Sequence, residues 1–404
     1  MGLDAVPLRR LLSVLILIFA AGCCFSIAVA QSALYLALFC WALVMILNRK
    51  SEIPRTPLDL FFLAYLVVGA STMVFSGARE MFPIFLKRIL LIPIVYLVVA
   101  NVSERRPLSV LLGALSVTMV LLSLVGIQKY FSGPGGLEGR LYLLHHYMTS
   151  GGILMMMGLM AFSFGFSGAP TRWKLTAWVT GVLVAACLTF TFTRSSWLGF
   201  LAGTLTIAVF QSRRLAAGLL AGLAVGLTAF LLLAPASFRE RATSVFNPRH
   251  RHNVERVQMW RAGFEIMRDH PLTGVGDVDL TEWYEPYRPP EALEKHGHLH
   301  NNLVMFAATL GLPGLIFFLA LSVRIFLTEL NVARSIPGRE WLLKSTAVGG
   351  LAAYVGFQVN GLFEWNFGDA EIAMLLWLTV GLTLCAGRMY RTQAEHVSES
   401  RSGS

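Results

Sequence analysis

The chain has 404 residues, of which 55% are hydrophobic and 14% charged, against about a quarter charged in soluble domains. Apolar runs of about 20 residues, the length that crosses a ~30 Å hydrocarbon layer, recur along nearly all of it, which excludes a soluble globular fold and predicts an all-α polytopic membrane protein. The net charge of +10 would suggest nucleic acid in a soluble protein; here much of it flanks the apolar runs and orients helices, so no nucleic-acid role is assigned.

In chain order, spans are predicted near residues 11–29, 31–47, 59–75, 83–100, 108–129, 146–166, 174–192, 196–211, 215–235, 301–327, 342–363 and 370–387. That makes about twelve helices. The first has a basic start and a small-residue AVA before Gln31, like a cleavable signal, but the next span begins almost at once and the segment reads as an uncleaved helix. Domain limits follow: N-terminal membrane helices over 1–235, an outer loop with amphipathic helices over 236–300, C-terminal membrane helices over 301–387, and a disordered polar tail over 388–404.

Lys and Arg alternate across these spans. Arg9 and Arg10, Arg49 with Lys50 and Arg55, Arg105 and Arg106, Arg172 and Lys174, Arg213 and Arg214, Arg334 with Arg339 and Lys344, and Arg388 with Arg391 all fall on one side. By the positive-inside rule this side, with both termini, is cytoplasmic. The five cysteines fall within spans, so neither a disulfide framework nor a cysteine metal site is indicated.

Some cations fall on the other side, where helix orientation does not explain them: Arg79, Lys87, Arg88, Lys129, Arg140, Arg194 and a dense set in the outer loop. From Arg239 to Arg268 the loop places Arg239, Arg241, Arg249, Arg251, Arg256, Arg261 and Arg268 against Glu240, Glu255 and Glu265; from Asp269 to Glu294 the sign reverses. Two readings stay open, mutually neutralising solvated faces or an anion site, for which the planar guanidinium suits phosphate oxygens. Residues 254–268 predict an amphipathic helix with Val257, Trp260, Phe264 and Met267 as its apolar stripe. GVGD after it reads as a turn rather than a phosphate loop, because no strand precedes it.

Arg194, in TFTRSSWLGF between two apolar runs, either snorkels to the outer surface or points into a polar cavity. Lys87, Arg88, Arg140 and Arg261 are each either phosphate ligands or interfacial anchors. HGHLHNN gathers His296, His298 and His300 where the next span begins. A zinc clip is discounted because no cysteine or carboxylate partner is placed, and no metal is assigned. His300, beside Asn301 at the helix start, is the candidate general base, an imidazole being tuned to take a proton from a hydroxyl. Glu364 and Asp369, on the last outer turn, either orient an arginine, bind sugar or are merely solvated.

TFTRSSWLGF, VERVQMWRAGFEIMRDHPLTGVG, HLHNNLVMFAATLGLPGL and GLFEWNFGDAEIAMLLWLTVGL together resemble the O-antigen ligase family and its polymerase relatives. The match is best from about Arg194 to Gly387. The resemblance implies a glycosyltransferase of the type C-like membrane class, needing no metal or other cofactor, in a bacterial inner membrane with its site on the periplasmic face. Its donor would be a glycan on undecaprenyl pyrophosphate and its acceptor a sugar hydroxyl of lipid A-core. By the same resemblance His300 would be the base, and Arg194 and Arg256 would hold the pyrophosphate. Polymerase and protein O-oligosaccharyltransferase share this chemistry; a flippase needs charges at mid-membrane depth, which these spans lack between their ends.

Overall fold

In lipid a segment must satisfy its own backbone hydrogen bonds, so long apolar runs become helices. The structure, a computed structural model, describes residues 5–77, 81–133, 139–233, 251–288 and 297–402, and among these there is no β-strand. Arg79, Arg239, Arg241, Arg249 and His296 lie outside the described residues. The helices are α1 (Ala5–Gly22), α2 (Ile27–Leu47), α3 (Asp59–Phe75), α4 (Phe82–Ile89), α5 (Pro93–Asn101), α6 (Arg105–Ser132), α7 (Tyr147–Gly165), α8 (Thr171–Phe190), α9 (Arg194–Gln211) and α10 (Arg213–Leu233). They continue as α11 (Arg251–Asp269), the short α12 (Thr281–Tyr284), α13 (Asn302–Ser335), α14 (Trp341–Asn360) and α15 (Ala370–Ser402).

Among the described residues, seven helical segments are long and apolar enough to cross a membrane, and α3 is a shorter apolar helix. The chain is therefore a polytopic, all-helical membrane protein. The spans read over 83–100 and 370–387 differ from expectation. The one read over 83–100 divides into α4 and α5, because Pro93 cannot continue a helix but suits the first position of a new one. α15 runs beyond Gly387 to Ser402, so the segment expected to be a disordered tail continues the last span as helix; no proline or glycine interrupts it before Gly403.

α7 and α15 form the centre, almost wholly buried by their neighbours. α14 packs against α7, α9 and α15, and α13 against α3, α11 and α14. This puts the starts of α7, α9, α13 and α15 at one end of the bundle, where polar side chains from distant parts of the sequence meet.

α11 keeps the predicted position, but its buried face is Met259, Ala262 and Ile266, turned to the bundle, while Val257 and Phe264 of the predicted stripe stay exposed. Trp260 and Met267 of that stripe are half-buried, and the Trp260 indole N–H donates to the Leu299 carbonyl at 3.1 Å. The helix thus carries a second, less obvious apolar face, and that face holds it against the histidine segment.

The turn after α11 has a defined task. Pro313 has no N–H, so the Thr309 carbonyl in α13 lacks its helical donor. The backbone also departs from helix at Gly311, with φ 65°. The turn supplies what is missing: Val275 N donates to Ala308 O at 3.1 Å, Gly276 N to Thr309 O at 2.9 Å, and Leu312 N to Pro271 O at 2.8 Å. GVGD is a stitch across a broken helix and not a phosphate cradle.

Candidate active site

The site is built around the first residues of α13. Asn301 caps that helix, its Oδ1 accepting from Val304 N at 3.1 Å, and its amide donates to the Leu362 carbonyl at 2.8 Å. Asn302 extends the tie: its backbone N–H donates to Gly361 O at 2.8 Å, and its Oδ1 accepts from Asn366 N at 3.0 Å. The turn between α14 and α15 is thereby fastened to the end of the histidine segment, and its Glu364 is brought to His300.

His300 Nδ1 and Glu364 Oε1 are 2.8 Å apart. His298 Nε2 is 3.7 Å from the same oxygen, an ion-pair rather than a hydrogen-bond distance. Burial alone would raise the Glu364 carboxyl, but the two imidazoles outweigh it and hold the group well below the usual carboxylate range. His298 is correspondingly raised, first by its contact with Glu364, against the opposing effect of burial. An ionised Glu364 can only accept, so His300 presents Nδ1–H to it; in the neutral imidazole Nε2 is then left as the proton acceptor. His300 itself sits in the left-handed backbone region, φ 45°, which costs strain for a side-chain-bearing residue and aims the ring toward the turn.

Facing this pair is a cavity of about 580 Å³. Arg194 enters it from the start of α9, Arg256 from α11 and Arg140 from the segment before α7, where its guanidinium lies 4.2 Å from the centre of the Tyr147 ring. Burial lowers Arg256 from the ordinary arginine value, while Glu364 and Tyr147 act the other way. Asp369 also lines the cavity and accepts from Thr149 Oγ1 at 2.9 Å. Burial pushes its carboxyl up to about 6, helped by the charges of Glu364 and Glu371 and opposed by the Thr149 hydrogen bond.

Of the residues singled out in the sequence, His300, Arg194, Arg256, Arg140, Glu364 and Asp369 therefore line one cavity. Four others do not. Asn301 is spent on the helix cap and the Leu362 carbonyl. Arg88 is paired with buried Asp277 at 2.8 Å and lies over the Trp365 ring at 5.0 Å, so it braces the turn that bears Glu364. Lys87 and Arg261 are exposed. His298, not singled out from the histidine cluster in the sequence, also joins the cavity, because His298, Leu299 and His300 alternate, with Leu299 buried under Trp260 and both imidazoles at Glu364. The every-second-residue spacing was the signal for it.

His298, His300 and Glu364 place one donor atom each within 4.8 Å of one another, a set able to hold a divalent ion. The carboxylate that the sequence did not place is thus present. Against a cation stand the guanidinium groups lining the same cavity, which suit an anion.

The cavity joins a histidine–carboxylate pair to several arginines, an arrangement able to hold an anionic group beside a proton acceptor. Residues 179–319 match the family model described as O-antigen ligase, and this stretch belongs to that family. It spans Arg194, Arg256, His298 and His300. The match covers residues 179–319 of the 404 and supports an origin of that part of the chain in the O-antigen ligase and polymerase superfamily. No curated protein gives a match.

Proposed function

We propose that this protein is an O-antigen ligase, which moves a glycan from undecaprenyl pyrophosphate to a sugar hydroxyl of lipid A-core at the periplasmic face of the bacterial inner membrane. The observation that carries the reading is that the His300–Glu364 pair and the guanidinium groups of Arg140, Arg194 and Arg256 line one cavity. Pyrophosphate is already a good leaving group. The protein need only neutralise its growing charge and orient the acceptor.

His300 Nε2 takes the proton of the acceptor hydroxyl, and Glu364 holds the ring and stabilises the imidazolium that results. The hydroxyl oxygen attacks the anomeric carbon as its bond to pyrophosphate breaks, and Arg194 and Arg256 receive the departing charge. Arg140 is a third phosphate ligand, and Asp369 a sugar or acceptor contact. Attack in one step inverts the anomeric centre, and no metal is required. The twelve-span topology with both termini cytoplasmic is part of the same proposal, because it sets the cavity on the outer side.

The test is transfer by purified protein from lipid-linked donor to core acceptor in EDTA, with product stereochemistry read by NMR. No transfer, together with an active His300→Ala protein in cells, would sink the enzyme reading. A knockout that accumulates polymerised lipid-linked glycan and leaves the core unmodified supports ligase. Loss of the long chains themselves would assign the chain to the polymerases.

A further inference from the structure

A second large cavity, about 560 Å³, opens between the connection from α5 to α6 and the far part of α15. It is remote from His298 and His300. Ala370, next to Asp369, and Arg388, in the wall of this second cavity, lie on one continuous helix, and the rise of 1.5 Å per residue puts them about 27 Å apart. That is close to the ~30 Å thickness of a hydrocarbon core. The two cavities therefore occupy opposite membrane boundaries.

The wall has two characters. Arg105, Arg106 and Arg388 contribute positive charge against the single carboxylate of Glu104. Arg105 is fixed by Glu340 and by Gln393. Arg106 and Arg388 are exposed, and no ion pair to another described residue engages either. Beneath them Val99, Val102 and Met389, all buried, make an apolar floor. A free phosphate would gain from the arginines and nothing from the floor. An amphiphile gains from both, with its phosphodiester between guanidinium groups and its glycerol and first methylenes on the floor.

We propose that this cavity binds the phosphate headgroup of an anionic glycerophospholipid, in the leaflet opposite the histidine cavity. The site is independent of glycan transfer. Its occupant touches α15, the buried central helix that begins at Ala370 beside the histidine cavity, so the lipid is an integral support of that helix's other end.

The test uses the full chain in detergent with two soluble probes, dihexanoyl phosphatidylglycerol and dihexanoyl phosphatidylcholine, and binding read by native mass spectrometry. About a factor of five per basic residue near an anionic lipid predicts roughly 30-fold preference for phosphatidylglycerol from Arg106 and Arg388. The preference should vanish in the Arg106→Gln, Arg388→Gln double variant. Met389→Trp, which fills the floor and leaves the arginines, should abolish binding of both lipids; it also serves if the double variant fails to fold. Inorganic phosphate in large excess should not displace the lipid. Equal binding of the two lipids by the unaltered chain, an unchanged preference in the double variant, retained binding in Met389→Trp, or displacement by inorganic phosphate would each overturn the proposal.

Discussion

Glu364→Gln isolates the electrostatic part of the proposed mechanism. The amide is nearly the size of the carboxylate, and its oxygen can still accept from His300 Nδ1 and from Trp365 N, which lie 2.8 and 3.1 Å from Glu364 Oε1. The ring keeps its position and loses only the negative charge behind it. A hydrogen bond to a charged group contributes about 1.5–3 kcal/mol, and the imidazolium formed in the transition state draws on it more than the neutral ring does. The expected loss in kcat is therefore roughly 10- to 150-fold. KM for the lipid-linked donor should hold steady or fall, since removing a carboxylate leaves the cavity more positive. The assay is initial-rate transfer by monodisperse purified protein across donor concentrations. A Glu364→Gln enzyme with kcat within about twofold of the parent would refute Glu364 as the residue that polarises the base, and a raised KM with intact kcat would make it a donor-binding group instead.

Arg194→Ala and Arg256→Ala should each slow turnover by about 10²–10³-fold, whereas Arg261→Ala and Lys87→Ala, exposed and away from the cavity, should stay within about twofold; equal losses in all four would mean that the cavity does not select the pyrophosphate ligands. EDTA should leave the rate unchanged, because the donor atoms of His298, His300 and Glu364, within 4.8 Å of one another, act as a hydrogen-bonded set; activity abolished by EDTA and restored by Zn²⁺ would make them metal ligands. Asp369, with its carboxyl pushed up to about 6, binds its proton more tightly folded than unfolded, so its contribution to stability is present below about pH 4 and lost as pH rises through about 6. The melting temperature of Asp369→Asn should fall less between pH 5 and 7 than that of the parent, and parallel curves would count against a raised carboxyl. Gly274→Ala should destabilise by more than about 1 kcal/mol, since φ is +61° there and a Cβ would lie 2.4 Å from the Thr309 carbonyl; an unchanged melting temperature would show that the stitch across α13 is dispensable.

Much of this was legible in the sequence because the bilayer enforces it. Apolar runs gave the helices, and cations left over from the inside girdle pointed to Arg140, Arg194 and Arg256, three of the groups that meet in the cavity. What the sequence hid were pairings across long separations. Glu364 reaches His300 across 64 positions, and nothing in the turn FEWNFGD around it distinguishes a buried acceptor from a solvated acid. Arg88 looked like any outer cation, yet buried Asp277 claims it. The apolar stripe read on α11 was the exposed one, because a helix with two apolar faces does not declare which meets the bundle.

The same separation explains why so much buried polarity surrounds the pair. Asn302 accepts from Asn366 N, and the Asn366 side chain in turn donates to Phe357 O at 2.9 Å and accepts from Asn360 at 3.2 Å. Unpaired, such groups would each cost about 1–3 kcal/mol. Paired, they tie the end of α14 and the following turn to the first residues of α13, and so hold a carboxylate and an imidazole from different helices at hydrogen-bond distance. A base positioned in this way gains little from further stability but loses rate with small displacements. Substitutions in the asparagine set should therefore lower kcat at temperatures where the protein is still folded, with a pattern resembling Glu364→Gln rather than a loss of donor affinity.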